Sequence, residues 1–243
     1  MIRIISCLDV KNNFVVKGFN FKNLKKINEI NLLIKQYENN NIDEIIILDI
    51  TSNYSKKSIS FKNLKKCLKN INTPISIGGG IKNINNIFKL FKLGADRITL
   101  NSICYNNIFF IKNVNLIFGS QATIASIDIK KINNIYYTFK NSGFIKTKFK
   151  LLDWILIIKK MGIGEILLTS IENDGFKSGY NIESLYFVKK NIEISIIISG
   201  GLGSINDIFY LYKYCNINSF LIASIFHYNL LNCFYFKKYI KLI

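Results

Sequence analysis

The feature that most constrains the fold of this chain is an internal repeat whose two copies lie about 120 residues apart. The segment IISCLDVK (residues 4–11) matches IASIDIKK (124–131), and ISIGGGIKNINNIF (75–88) matches IIISGGLGSINDIF (196–209). Two more pairs keep the same order: DEIIILDIT with GEILLTSIE, and RITLNSICYNN with SFLIASIFHYN. Biased composition could produce isolated apolar matches, but it does not explain the paired Asp and Gly-Gly positions. The repeat predicts one domain, 1–243, made of two halves at about 1–119 and 120–243.

Short β-branched runs alternate with longer amphipathic segments along the chain, which is the pattern of a parallel sheet covered by helices. Eight such runs at this length predict an α/β fold, a (β/α)8 TIM barrel built from two pseudo-twofold-related half-barrels. Polar loops are expected after the first and fifth runs, at Asn12–Asn23 and Lys130–Lys148. The predicted strands are Ile2–Val10, Glu44–Ile50, Pro74–Ile77, Arg97–Leu100, Thr123–Ile129, Glu165–Thr169, Ile194–Ser199 and Phe220–Ser224.

The charge balance is strongly basic, with 33 Lys and Arg against 15 Asp and Glu and a formal net charge of +18. Such an excess can indicate a nucleic-acid partner. The lysines, however, are scattered as singles and pairs, and Lys, Asn and Ile are enriched together, as A/T-rich codons would produce. We therefore expect no nucleic-acid partner, although part of the excess can help to attract a phosphorylated substrate.

Three absences narrow the function class. No apolar run reaches the roughly 18 residues that a membrane span needs, and the N-terminus lacks the pattern of a signal peptide. The five cysteines form neither a zinc pattern nor an even disulfide set. We expect a reduced, cytoplasmic protein with no membrane contact, no metal and no cofactor, in which the single histidine, His227, is structural.

Two clusters of small residues at predicted strand ends predict phosphate binding. Barrel enzymes place their sites at the C-terminal ends of the strands, and glycine lets an anion approach backbone N–H groups closely. Tight turns alone could explain such glycines, but the clusters occur in duplicate. Two cradles on opposite sides of the barrel mouth imply a substrate with a phosphate at each end. The first cradle comprises Gly79, Gly80, Asn101 and Ser102, and the second comprises Gly200, Gly201, Ala223 and Ser224.

Asp9 and Asp128 end the first and fifth predicted strands, so the repeat places them on opposite sides of the mouth. Two such carboxylates can act as general acid and general base when their environments separate their pKa values. The alternative is that they anchor a loop lysine such as Lys11 or Lys130. Further contacts to the same cavity are expected from Lys17, Asp49, Thr169, Asp174 and Gly175.

Four charged residues lie at the starts of predicted strands, on the opposite rim of the barrel. They could form a ring of ion pairs, which on this face of a barrel ordinarily serves stability. They are Arg3, Glu44, Arg97 and Glu165.

Together these motifs resemble the cyclase subunit of imidazole glycerol phosphate synthase, an enzyme of histidine biosynthesis. The similarity runs from Arg3 to about Tyr228. Two segments, VVKGFNF and LTSIENDGFKSGY, look like the cyclase rather than the related phosphoribosyl isomerase. The other motifs that carry the resemblance are RIISCLDVK, IDEIIILDIT, PISIGGGI, GADRITLNS, FGSQATIASID and ISGGLG.

The resemblance implies a lyase that uses ammonia to convert a phosphoribulosyl-formimino aminoimidazole carboxamide ribotide, which carries two phosphates. The implied products are imidazole glycerol phosphate and an aminoimidazole carboxamide ribotide. The resemblance also implies that Asp9 and Asp128 form the acid/base pair and that Lys17 lies on a mobile loop. It implies a heterodimer with a glutaminase subunit docked at the N-terminal face of the barrel, where the four-residue ring would be the gate for ammonia.

Two alternatives stay open at this point. One is the phosphoribosyl isomerase of the same pathway, which needs no ammonia. The other is a non-catalytic basic binding protein on a barrel scaffold, which the intact Asp9 and Asp128 argue against. The chain also departs from the family pattern, with Lys148 where a glycine usually follows the threonine and Glu172 where an aspartate is usual. The first departure leaves the closed form of the Lys130–Lys148 loop open.

Overall fold

The apolar runs of the sequence form parallel strands that are buried on both faces. The computed structural model describes residues 2–19, 22–51, 61–228, 230 and 233–240. The strands of this part of the chain are β1 (Arg3–Lys11), β2 (Phe14–Phe19), β3 (Lys22–Glu29), β4 (Glu44–Asp49), β5 (Ile75–Gly78), β6 (Arg97–Leu100), β7 (Thr123–Ile132), β8 (Ile135–Lys140), β9 (Ile145–Lys150), β10 (Glu165–Ser170), β11 (Ser195–Ser199) and β12 (Ser219–Ile222).

Eight of these strands close into a barrel. They pair in parallel in the order β1, β4, β5, β6, β7, β10, β11 and β12, and β12 then pairs with β1. The predicted (β/α)8 barrel is confirmed. The last strand ends two residues earlier than expected, at Ile222, so that Ala223 and Ser224 follow the end of β12.

Helices cover the outside of the barrel, and their ends follow local sequence signals. Asn83 accepts a hydrogen bond from the backbone N–H of Asn86, and Ser204 forms a capping box with Asp207. The described helices are α1 (Ile30–Asn39), α2 (Phe61–Leu68), α3 (Ile84–Lys92), α4 (Ser102–Asn106), α5 (Phe109–Phe118), α6 (Leu151–Lys160), α7 (Ile182–Asn191), α8 (Ile205–Cys215), α9 (Ser224–His227) and α10 (Cys233–Ile240), with a 3-10 turn at Ser120–Ala122. In the described part of the chain, none of the helices has the length and apolarity to cross a bilayer.

The polar loops expected at Asn12–Asn23 and Lys130–Lys148 are instead antiparallel hairpins, so that prediction was wrong apart from residues 20–21, which lie outside the described residues. β2 and β3 extend β1, and β8 and β9 extend β7. The physical reason is the Asn-Asn pair at each first turn. Asn12 and Asn13 have φ of 50° and 70°, and Asn133 and Asn134 have φ of 49° and 62°. Positive φ at both positions gives the two-residue turn whose twist matches the flanking strands.

The elements of the first half recur in the second at a constant spacing. β2 begins at Phe14 and β8 at Ile135, while α1 begins at Ile30 and α6 at Leu151, in each case 121 residues later. This recurrence, which includes the hairpins, supports the interpretation as two half-barrels, and that interpretation stays a prediction.

The core has two parts because alternate residues of each barrel strand face opposite sides. A large outer cluster joins the strands to the helices and includes fully buried Trp154, Tyr37 and Phe220. A smaller cluster fills the barrel interior. Its buried members are Ile5, Cys7, Ile46, Ile124, Leu167, Ile197, Leu221 and Ala223.

Truncation inside the barrel should be far more damaging than truncation on a helix surface. Ile197 has no exposed surface and belongs to the interior cluster. We expect Ile197→Ala to lower the free energy of unfolding by about 2–5 kcal/mol, because the rigid barrel wall cannot close the cavity left behind. Urea unfolding measures this change. As a control, Leu116→Ala, at a side chain 76% exposed on α5, should stay within about 0.5 kcal/mol of wild type; equal losses in both variants would contradict the packing argument.

Candidate active site

The C-terminal ends of the barrel strands surround a cavity of about 660 Å³. A smaller cavity adjoins it and shares Asp174, Ser199 and Leu221 with it. The predicted substrate-site residues all line one of these two cavities. The larger one is lined by Asp9, Lys17, Asp49, Gly79, Gly80, Asn101, Ser102, Asp128, Thr169 and Asp174, and the smaller one by Gly175, Gly200, Gly201, Ala223 and Ser224.

The glycines of the two cradles are required by close backbone packing. Gly79 has a φ of 85°, and a Cβ added there would lie 2.1 Å from the carbonyl oxygen of Asp49. Gly201 has a φ of 112°, and a Cβ there would lie 2.2 Å from the carbonyl oxygen of Gly179. Only glycine fits such positions. The tight turns therefore account for glycine at these positions by themselves, and phosphate binding stays a prediction that rests on their place in the cavities.

Lys17 lies in β2, not on a loop, and its buried ammonium group lies among the carboxylates. The Nζ atom is 3.0 Å from both carboxylate oxygens of Asp174 and 3.7 Å from Oδ2 of Asp9. Burial alone would lower the pKa of Lys17, but the charges of Asp174 and Asp9 outweigh it and raise the pKa above its usual value. Lys17, from the first hairpin, is thus the lysine that forms an ion pair with Asp9.

Asp128 has a different environment from Asp9. Burial raises the pKa of Asp128 to about 7; the hydrogen bond that Asn101 Nδ2 donates to its Oδ2, at 3.0 Å, lowers it, and the charges of Asp174 and Asp9 add to the rise. Burial also raises the pKa of Asp9, and the nearby charge of Lys17 opposes that rise. One carboxyl group therefore faces a cation and the other faces a neutral amide. This is the kind of asymmetry that an acid/base pair needs.

Several residues of the cavity wall were not predicted from the sequence. Cys7 and Ser126 each lie two residues before a predicted catalytic aspartate, while Thr99 lies in β6 and Ser199 ends β11. The period-two alternation of a strand could have found them, because residues i and i−2 face the same side. The Thr99 hydroxyl is buried without a hydrogen-bond partner in the described part of the chain.

At the opposite end of the barrel the four predicted rim residues form a closed ring of ion pairs. Arg3 contacts Glu165 at 2.5 Å and Glu44 at 3.5 Å. Arg97 contacts Glu165 at 2.7 Å and Glu44 at 3.5 Å, and its Nε donates to the carbonyl oxygen of Gln121. Each guanidinium thus joins both carboxylates, and the ring covers the N-terminal end of the barrel interior.

His227 is buried outside the cavity walls, where its Nδ1 is 2.5 Å from the hydroxyl of Tyr37. Burial and the charge of Lys17 lower the pKa of His227 to about 3, so the ring is neutral. This environment agrees with the expected structural role. Among the described residues no cluster of three or more His, Cys, Asp or Glu side chains could hold a metal ion.

A cavity at the C-terminal ends of the strands, with carboxylates and small-residue turns, defines a (β/α)8 barrel protein with its site at the catalytic face of the fold. Residues 3–232 match the histidine biosynthesis protein family. The chain is 38% identical over 238 residues to the imidazole glycerol phosphate synthase subunit HisF of Sulfolobus acidocaldarius, covering 98% of this chain and 95% of that relative. It is 37% identical to the HisF subunits of Natranaerobius thermophilus (98% and 95% covered) and Thermotoga sp. strain RQ2 (98% and 94% covered). The chain belongs to this family of HisF subunits, as its motifs indicated.

The raised pKa of Asp128 predicts a pH-dependent effect of its removal. A carboxyl group with a raised folded pKa holds its proton more tightly when folded. Its contribution to the free energy of unfolding therefore falls as the pH rises from the unfolded pKa through the folded pKa of about 7. When the pH rises from 5 to 8, the free energy of unfolding of Asp128→Asn should increase by about 2–4 kcal/mol relative to that of wild type. The reason is that wild type must then ionise a buried carboxyl group, whereas asparagine stays neutral. Urea unfolding at both pH values measures the gain.

Ser126→Ala is the matched control, since Ser126 lies two residues earlier in β7, is buried and does not titrate in this range. Its free energy of unfolding relative to wild type should be the same at pH 5 and pH 8. A constant difference for Asp128→Asn as well would show that the pKa of Asp128 is not raised.

Proposed function

We propose that the protein is the cyclase subunit of imidazole glycerol phosphate synthase, a lyase that combines ammonia with a bisphosphate ribotide to give imidazole glycerol phosphate and an aminoimidazole carboxamide ribotide. The observation that carries the proposal is the placement of Asp9 and Asp128. They lie in β1 and β7, which are separated by three strands in either direction around the barrel, and both line one cavity. A substrate bound across the mouth would lie between them.

The two carboxyl groups have environments suited to different roles. Asp128, with a pKa of about 7, holds its proton near neutral pH and can act as the general acid. Asp9 lies beside the Lys17 ammonium, which favours the ionised form that a general base needs. Asn101 donates a hydrogen bond to Oδ2 of Asp128, and this bond restrains the carboxyl group within the cavity wall that both residues line.

The cradles support a substrate with two phosphates. The first cradle lines the larger cavity, and the second lines the smaller one, which opens beside Asp174. Backbone N–H groups at such glycine turns can bind phosphate oxygens. The reacting part of the substrate would then lie between the cradles, at the level of Asp9, Lys17 and Asp128.

The ring at the other end of the barrel supports a route for ammonia from a partner. The relatives are named as subunits, and the proposed partner is a glutaminase that docks at the N-terminal face. Arg3 and Glu165 close the entrance, and the apolar interior beyond them contains Ile5, Cys7 and Ile46. Neutral ammonia can cross such an interior more easily than the ammonium ion, because burying a charge costs much more than burying a hydrogen-bonding group.

The proposed reaction predicts ammonia-dependent consumption of the bisphosphate ribotide by the purified protein, measured by absorbance with excess ammonium salt at alkaline pH. Asp9→Asn and Asp128→Asn should each lower kcat by roughly 100-fold or more, the usual contribution of a general acid or base. The KM for the ribotide should change little, because the phosphates hold it.

Asp153→Asn is the control, since it removes an exposed carboxylate at the start of α6. It should turn over like wild type. Wild-type rates in both active-site variants would overturn the acid/base assignment. Product formation by the wild type without ammonium would indicate the isomerase reaction instead.

The proposed gate predicts a selective loss of glutamine-driven activity. Glu165→Gln removes the charge that holds Arg3 and Arg97 at 2.5 and 2.7 Å, so the ring loses its two shortest ion pairs. With a glutaminase subunit bound, the ratio of glutamine-driven to ammonium-driven turnover should fall several-fold, because bulk ammonium can also enter from the mouth. Asp153→Asn changes the same charge at the start of α6, away from the N-terminal face, and should leave the ratio as in wild type. An unchanged ratio in Glu165→Gln, with the complex intact, would argue against the gate.

A further inference from the structure

The walls of the two cavities contain little positive charge that is not already paired, although the proposed substrate is itself an anion. They contain four aspartates, Asp9, Asp49, Asp128 and Asp174, and three lysines, Lys17, Lys82 and Lys177. The charge of Lys17 is already shared by Asp174 and Asp9. Lys82 and Lys177 form no ion pair within the described part of the chain, and they are the cations left in these walls to meet phosphate. We propose that each of these two lysines binds one phosphate of the substrate, Lys82 at the first cradle and Lys177 at the second.

Lys82 follows the first glycine cradle by two residues. It lies in the wall of the larger cavity together with Gly79, Gly80 and Ser102. Its backbone N–H donates a hydrogen bond to the side-chain oxygen of Asn86, at 3.0 Å. This bond fixes the backbone of Lys82 just before the N-terminal end of α3. The Lys82 side chain is exposed, so its ammonium group stays hydrated while it lies near the glycine turn.

Lys177 reaches the second cradle from a different loop. It lies in the wall of the smaller cavity with Gly175, Gly200 and Ser224, and its Nζ is 5.7 Å from the ring centre of Tyr228, just beyond α9. Its φ of 57° is left-handed, which is uncommon for a residue other than glycine, asparagine or aspartate.

The repeat explains why the two lysines come from unrelated positions. The residue 121 positions after Lys82 is Gly203, so the second half lacks the lysine of the first. A Cβ added at Gly203 would lie 2.3 Å from the carbonyl oxygen of Lys177, which leaves no room for any side chain there. The backbone of Lys177 thus occupies the space that a side chain at position 203 would need, and Lys177 itself lies at the second cradle.

This inference rests on the proposed function, and the test uses the two products, each of which retains one of the two phosphates. Lys82→Gln and Lys177→Asn are the variants, the second chosen because asparagine tolerates the left-handed backbone. Each should raise the KM for the ribotide about three- to tenfold with kcat nearly unchanged, the size expected for one partly solvated charge-assisted contact. The effect should shrink as salt is added.

The product-inhibition constants identify the cradle. Lys82→Gln should weaken inhibition by one product only, and Lys177→Asn by the other only. Lys82→Arg and Lys177→Arg keep the charge and should lie closer to wild type. Lys92→Gln, at the far end of α3 from Lys82, makes the same change in net charge away from the mouth and should behave as wild type.

The outcomes separate the two proposals. If the wild type shows no ammonia-dependent turnover, the proposed function fails. If the wild type turns over and the lysine variants keep its KM, or if both variants weaken inhibition by the same product, or if Lys92→Gln has an equal effect, then the assignment of one lysine to each phosphate is wrong while the function stands.

Discussion

Closure of the parallel sheet is the constraint on which the rest of this structure depends. Backbone hydrogen bonds from β7 to β10 and from β12 to β1 leave the ring of eight strands without an edge. Once the ring is closed, every second residue of each strand must face the interior. In β1 the series Arg3, Ile5, Cys7 and Asp9 thus runs from the ion-pair ring, through the apolar interior, to the cavity. One strand pattern builds both ends of the barrel and the apolar interior between them.

Closure also creates electrostatic repulsion at the mouth of the barrel, because it brings several carboxylates close together and shields them from water. The raised pKa of Asp128 lets this carboxyl group keep its proton, which removes one negative charge. Asp9 and Asp174 both contact the ammonium group of Lys17, which offsets their charges. A buried pair of this kind contributes little net stability but is costly to break, since loss of either partner leaves an unpaired charge. The arrangement is therefore not a major source of stability, although each of its members depends on the others.

The barrel and most of the site could be predicted because both follow from periodic signals. Buried strands, glycine turns and aspartates at strand ends recur in each half, and a closed barrel puts all strand ends in one place. The position of Lys17 could not be predicted in the same way. Its strand was expected to be a loop, because the Asn12-Asn13 pair reads as a polar stretch unless both residues are given positive φ. The side-chain asymmetry between Asp9 and Asp128 depends on contacts with Lys17 and Asn101, which no spacing along the chain specifies.

The two hairpins show how one repeated element can differ in its use. The first carries Lys17 inward to the carboxylates of Asp9 and Asp174. The second lies over the first cradle, where the backbone N–H of Asn141 donates to the Ser102 hydroxyl and Asn141 joins the cavity wall. One hairpin thus brings a positive charge to two aspartates, while the other brings Asn141 to the cavity wall beside the first glycine cluster. The two ends of the cavity therefore differ in charge although similar elements surround them, because the strands determine where the side chains converge and the hairpins determine which further groups reach that place.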